Sequence, residues 1–435
     1  MSPAHAAAAK NTNNVMVEST DVGEVTASTM RSQPGGRSIT GVTLGAVRAP
    51  VYANKDRDDL LLAHFDVGTV GAAVTTKNQF CAAPVHQLRA HLSATPHVRY
   101  WLLNAGNANA GTGEPGVIAC RETVEALARI GEVAAESIWP FSTGVIGEPL
   151  PVSAIVQALP RAVDVLHGEV SAWEQAARAI MTTDTHPKLR HIVCQIEGVE
   201  VTITGMAKGS GMIHPNMATM FGLLMTDAHV APDALQILLQ RAVDHSFNCV
   251  TVDGDTSTND ACAIAATGHA GHTLITDAES EAGQTLQAAL SVLCDDLAEM
   301  LARDGEGAGK FVTVRVQGAH SDTEAHTIAN TVALSPLVKT ALAASDPNWG
   351  RIVAAVGRAD VDAIDIAKVQ VWLNGVQIVK DGGRHPAYTE AMGQAAMAPT
   401  DIEIRIDMGV GSGQCRVMTC DLTKEYVRIN AEYRT

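Results

Sequence analysis

The run KGSGMIHPNMATMFGLLMTD at residues 208–227 constrains this chain more than any other segment, because it sets a threonine between a glycine-rich approach and an apolar, strand-like stretch. A threonine hydroxyl is a weak nucleophile at neutral pH unless a base sits beside it. One compact source of that base is the threonine's own α-amino group, released by cutting the Ala218–Thr219 bond. An α-amine titrates near about 8 and a lysine near about 10.4, so the amine can be neutral and basic where lysine cannot. Gly205, Gly209 and Gly211 give the backbone freedom to bring the Thr219 oxygen onto the preceding carbonyl. A chain that cuts itself there must fold so that both halves, 1–218 and 219–435, stay interlocked, since neither ends at a visible domain boundary. The plainer reading of the same residues is a β-branched threonine packed at the start of a strand.

Further segments decide between the two. They are LLNAGNANAGTGE (102–114), STGVIGEPLP (142–151), AIMTTDTHPK (179–188), TVDGDTSTNDA (251–261) and YVRINAEYRT (426–435), with GEGAGK (305–310) and DPNWGRI (346–352). Together with KGSGMIHPNMATM, and in this order, they resemble the ornithine acetyltransferase family, the bifunctional glutamate N-acetyltransferases of arginine biosynthesis that split before this threonine. The likeness runs from about residue 40 to the end. The sequence departs from the family's commoner residues at Gly111, Gly309 and His214, none of which is assigned to the chemistry.

The resemblance implies an α/β fold: an αββα layered sandwich of the ornithine acetyltransferase and aminopeptidase kind, with a smaller C-terminal α/β unit. It divides the chain into a loose tail (1–20), an α chain carrying most of the sandwich (21–218), a β-chain segment completing it (219–310), and a C-terminal domain whose tail returns to the active site (311–435). It assigns Thr219 as nucleophile, Thr143 and Gly144 as oxyanion hole, and Thr182, Lys208, Thr219, Glu306, Asn430 and Thr435 as substrate contacts. The implied reaction moves acetyl from N-acetylornithine to glutamate through an acetyl-Thr219 ester. No cofactor or metal is implied, although some members also accept acetyl-CoA as donor. A heterotetramer of two α and two β chains is the expected assembly. The residue types suit this chemistry: a lysine faces a carboxylate, a glutamate pairs with an ammonium, and an asparagine offers both donor and acceptor. Their plain alternatives are a solvated lysine, a glutamate on a glycine-rich loop, a Ser-Thr-Gly turn and a frayed terminus.

Composition agrees independently. The 435 residues are 46% hydrophobic and 18% charged, which describes a folded chain of two or three domains. A net charge of −16 with 4% aromatic residues argues against a nucleic-acid surface and for a small polar ligand. Eight cysteines without a CxxC pair read as reduced core residues. The N-terminus lacks a signal-like apolar core and no apolar run reaches membrane-spanning length, so a cytoplasmic enzyme is expected.

Apolar spacing of three and four predicts helices over 116–138, 152–166, 171–181, 232–246 and 279–302. Alternation predicts strands over 200–207 and 311–318. A hairpin is predicted over 369–382, turning at Asn374-Gly375, and a second over 402–422. Three motifs are set aside. GEGAGKF lacks the first glycine and the final Ser/Thr of a phosphate loop; DGDTSTND has Thr258 and Ile264 where a calcium loop needs glycine and glutamate; GVGSG at 409–413 has no helix after it to complete a dinucleotide site. DGDTSTND instead reads as an Asx-capped turn near the active centre. His214, five residues before Thr219, is not needed as a base.

Two rival functions remain: a hydrolase of related architecture, such as a β-peptide aminopeptidase, in which water resolves the acyl-enzyme, and an uncleaved binding protein.

Overall fold

A computed structural model describes residues 30–52, 56–214 and 220–432. The expected loose tail at 1–20 lies outside them, as do Ala218, Thr219 and Thr435.

In chain order the first elements are β1 (Gln33–Pro34), β2 (Val42–Val47), β3 (Leu60–Phe65), β4 (Val70–Thr75), α1 (Ala83–Ala94) and β5 (Tyr100–Asn107). Next come α2 (Gly113–Gly131), β6 (Ile138–Val145), α3 (Val152–Asp164), α4 (Val170–Ala179), β7 (Lys188–Ile196) and β8 (Val199–Lys208). After residue 220 lie β9 (Phe221–Thr226), α5 (Pro232–His245), β10 (Ala261–Ala266) and α6 (Glu281–Arg303). The last third holds β11 (Phe311–Ala319), α7 (Asp322–Ala333), α8 (Pro336–Ala343), α9 (Trp349–Gly357), β12 (Gln370–Leu373) and β13 (Val376–Lys380). It ends with β14 (Gly383–Arg384), α10 (Glu390–Met397), β15 (Asp401–Asp407), β16 (Gly413–Cys420) and α11 (Lys424–Glu432).

Four layers form the larger part. A sheet ordered β2-β3-β5-β6 faces a sheet ordered β1-β7-β8-β9-β10-β4. Between them lies a core to which one contributes Phe65, Trp101, Trp139 and Phe141, and the other Met206, Phe221, Leu223 and Met225. The outer face of the smaller sheet is covered by α2 and α3 through Val124, Leu127, Ile155 and Leu159. The outer face of the larger is covered by α5 and α6, whose Leu235, Leu239, Leu286, Leu290, Leu293 and Leu297 form a stripe at helical spacing. This is the αββα sandwich. Each buried leucine contributes about 1.5–3 kcal/mol, so the stripe alone fixes α6 on its sheet. Because both faces are covered, β9 and β10 are buried at every position. The alternation of β8 does not give it a wet face either: its Thr204 hydroxyl donates to the Arg37 carbonyl at 2.7 Å.

The third sheet, β14-β13-β12-β15-β11-β16, packs against α7–α10 in a core of its own. The Asn374-Gly375 hairpin forms as expected, with φ of 43° and 81° at the two turn residues. The second expected hairpin does not. β15 and β16 are not partners: β11 lies between them, parallel to β15 and antiparallel to β16. The glycine-rich connection instead wraps the end of β11, where Val410 and Gly411 both donate to the Gly318 carbonyl at 2.8 and 2.9 Å. A local turn signature cannot reveal a strand inserted from a hundred residues earlier. The helix expected over 116–138 also stops early, at Gly131, because Glu132 takes a left-handed conformation (φ 52°) and β6 begins at Ile138.

Six of the eight cysteines are buried and none is in a disulfide; Cys81 and Cys415 are half-buried. Among the described residues no helix is long and apolar enough to cross a membrane, and no group of three His, Cys, Asp or Glu is placed to hold a metal ion.

Candidate active site

One cavity collects the ends of elements from every part of the chain. It is lined by Thr143 and Gly144 from β6, Ile146, Thr182 and Thr183 after α4, Lys208 at the end of β8, Ser210 to Met212, Glu306 after α6, and Asn430 on α11. Six residues expected from the sequence therefore meet in one place: Thr143, Gly144, Thr182, Lys208, Glu306 and Asn430. They come from segments nearly 290 residues apart.

Each is held by identifiable forces. Gly144 has φ of 135°, and a Cβ there would lie 2.3 Å from the backbone carbon of Gly106, so no other residue fits where β6 passes β5. The register of the two strands shifts at Gly106/Asn107, opposite Thr143 and Gly144, which distorts the end of the ladder there. Asn259, from the TVDGDTSTNDA segment, braces the same strand by donating to the carbonyls of Ser142 at 2.7 Å and Ala108 at 2.6 Å.

Lys208 is 2% exposed, and its Nζ donates to Thr143 Oγ1 at 3.0 Å. Burial lowers its pKa; the charges of Asp184, Asp260 and Glu306 oppose that shift, while Lys188 adds to it. Glu306 is 8% exposed and lies directly over Gly211, where a Cβ would fall 2.5 Å from its carboxyl carbon. Asn430 donates to Glu306 Oε2 at 2.8 Å and to the Tyr426 carbonyl at 3.0 Å. Tyr426 in turn donates to Asp253 at 3.3 Å, and burial raises that carboxyl to about 6. The cavity thus presents a buried lysine and a buried glutamate, side chains that suit the carboxylate and the ammonium of an amino acid.

Asp253 also accepts from the backbone of Met212 at 2.7 Å and of Asp255 at 3.3 Å, the Asx turn that the sequence suggests for DGDTSTND. His214 sits apart from the lining residues, near Thr251 at 3.4 Å, with burial lowering its pKa. Met220 donates to Asp260 at 2.8 Å, so the first described residue after Thr219 is anchored at the start of β10.

The model of the ArgJ family matches residues 43–435. The chain belongs to the ArgJ family. It is 50% identical to the arginine biosynthesis bifunctional protein ArgJ of Methylococcus capsulatus, over 91% of this chain and 96% of the relative. It is 49% identical to the protein of that name from Pseudomonas syringae pv. tomato, over 92% and 98%. Among solved structures it resembles ornithine acetyltransferase complexed with ornithine from Mycobacterium tuberculosis, with 33% identity over 43% of this chain and 98% of that one, at a TM-score of 0.40.

Within this ArgJ-family chain the sequence reading missed several residues that hold the site together. Asp184, Lys188 and Asp304 lie beneath the lining residues, Ser210 joins the lining to Asp304, and Asn259 and Asp260 brace its far side. Asp184, Lys188, Ser210, Asn259 and Asp260 stood inside quoted motifs. Their signal was charge, hydroxyl or amide in a segment that folds inward, which becomes legible only once burial is known.

Proposed function

We propose that this ArgJ-family protein is a glutamate N-acetyltransferase that moves acetyl from N2-acetylornithine to glutamate. The observation that carries this reading is the meeting of Lys208, Glu306, Asn430, Thr182, Thr143 and Gly144 in one cavity. Thr219 is the nucleophile, freed by attack of its own hydroxyl on the Ala218 carbonyl and hydrolysis of the ester that results. The released amine takes the hydroxyl proton as oxygen attacks the acetyl carbonyl. The Gly144 N–H and Thr143 stabilise the oxyanion, and collapse expels ornithine, whose nitrogen regains the proton. Glutamate's amine then attacks the acetyl-Thr219 ester. Lys208 faces the substrate carboxylate, and Glu306 with Asn430 faces an ammonium, with Thr435 completing the contact. Acetyl-CoA is a second donor in keeping with the bifunctional name of the relatives. No metal or cofactor takes part, the compartment is the cytoplasm, and the assembly is a heterotetramer of two chains 1–218 and two chains 219–435. The α chain and residues 219–310 make the sandwich, and 311–435 form the C-terminal domain.

Rapid-quench mass spectrometry tests this. Incubation with acetylornithine alone should add one acetyl group to the 219–435 chain, glutamate should discharge it, and the kinetics should be ping-pong. Intersecting double-reciprocal plots with no acetylated chain would remove Thr219 as carrier. Acetate release outpacing transfer would favour the hydrolase instead.

A further inference from the structure

Beneath the cavity lies a set of buried charges with no role in the reaction as described. Asp184 receives three hydrogen bonds: Oδ1 from the Gly209 N–H at 2.7 Å and from Lys188 Nζ at 2.7 Å, and Oδ2 from the Thr182 N–H at 2.9 Å. Thr182 lines the cavity and Gly209 follows Lys208, so a single carboxylate ties down the backbone of two lining segments. Lys188 is wholly buried between Asp184 and Asp304, at 2.7 and 2.5 Å. The Asp304 carbonyl accepts from Ser210 Oγ at 2.6 Å, and the Ser210 carbonyl accepts from the Glu306 N–H at 2.9 Å. The contacts run unbroken from Thr182 to Glu306.

A buried ion pair is costly to assemble and seldom repays its desolvation in stability, which makes this arrangement a poor purchase for folding alone. Its geometry serves the cavity instead. The charged groups facing Lys208 are Asp184 after α4, Lys188 on β7, Asp260 at β10 and Glu306 after α6. Among the carboxylates, Asp184 is the one nearest in effect, and it is itself dependably ionised. Burial would raise its pKa, but Lys188, Lys208 and the Gly209 N–H outweigh burial and hold it at about 2.

We propose that Asp184 is a positioning residue for acyl transfer, supplying the fixed negative charge behind Lys208 and clamping the Thr182 and Gly209 backbones around the substrate's carboxylate. It rests on the acetyltransferase reading for the identity of that substrate. Asp184→Asn keeps the shape and removes the charge. Lys208 then loses the charge that most opposes its burial and turns neutral at lower pH.

The test measures KM and kcat for acetylornithine and glutamate from pH 6 to 10, with ornithine affinity by calorimetry. Asp184→Asn should raise KM by roughly tenfold or more and move the alkaline limb of kcat/KM about one unit toward lower pH. Asp304→Asn is the comparison, since the Asp304 carboxylate bonds to Lys188 and Thr185 and to neither of the backbones that Asp184 holds; it should lower the melting temperature and leave the limb in place. Unchanged KM and limb in Asp184→Asn, or an equal limb shift in Asp304→Asn, would overturn the proposal. If Asp184→Asn does not fold, Asp184→Glu decides: the limb should stay while KM rises about tenfold, and an unchanged KM refutes the clamp. Wild-type protein that neither transfers acetyl nor binds ornithine would sink the functional reading itself, an outcome distinct from a normal wild type with an indifferent Asp184 variant.

Discussion

Gly144 and Gly211 separate what a residue does for the fold from what it does for the reaction. At Gly144 any side chain meets backbone at 2.3 Å in a left-handed conformation, so Gly144→Ala should cost roughly 1–3 kcal/mol of stability in denaturant titration besides any loss of turnover. The cleaner probe of the proposed oxyanion hole is Thr143→Ala, which should keep the fold and lower kcat about ten- to a thousandfold; a fully processed variant with normal turnover would remove Thr143 from that role. Gly211 has no backbone strain, and its missing Cβ makes room for a flexible carboxylate. Gly211→Ala should therefore leave the melting temperature nearly unchanged while displacing Glu306 and raising KM for acetylornithine about tenfold or more, the scale of one hydrogen bond to a charged group. At this scale the sequence named residues that the fold brings to one cavity, as at Lys208, Glu306 and Asn430. It was silent on Asp184 and Asp304, because a buried carboxylate and a surface one look alike until their partners are known.

Elements show the same division between local and distant causes. The Asn374-Gly375 turn and the helices α3 to α6 were legible since their signals, two residues of positive φ or a 3.6-residue stripe, lie within the element. The pairing of β11 between β15 and β16 was not, since it joins strands far apart in the sequence, with α7 packed on β11 and β16. The last helix, α11, has no fully buried residue and is tied down by polar contacts: just before it Thr423 donates to the Gly307 carbonyl at 2.7 Å, and Tyr426 and Asn430 reach Asp253 and Glu306. A nine-residue helix of this kind is marginal by itself, so its worth is in the site and not in the core. Truncation after Leu422 should leave a folded protein whose melting temperature falls little, while kcat/KM drops roughly ten- to a hundredfold with the loss of the Asn430 contact. A truncated chain with normal kinetics would show that α11 is an ornament.

For the whole molecule, the position of the proposed cut matters more than its chemistry. The larger sheet takes β1, β7, β8 and β4 from before residue 218 and β9 and β10 from after it, and β9 pairs with β8 while β10 pairs with β4. Two processed chains should co-purify and part only on denaturation, whereas Thr219→Ala should run as one chain of 435 residues. The buried charges give that shared fold a signature in acid. Asp184 is held at about 2 in the folded protein against an ordinary value of 3.8, so its stabilisation is complete above the unfolded pKa and drains away as pH falls from about 4 to 2. Wild-type protein should therefore lose about 2 kcal/mol more than Asp184→Asn between pH 5 and pH 2, measured by urea unfolding at each pH. The advantage of wild type over the variant should be largest near neutrality and shrink in that window. A constant difference down to pH 2 would mean that Asp184 is not held as an anion by Lys188 and Lys208, and that the charge beneath the cavity is not where its geometry puts it.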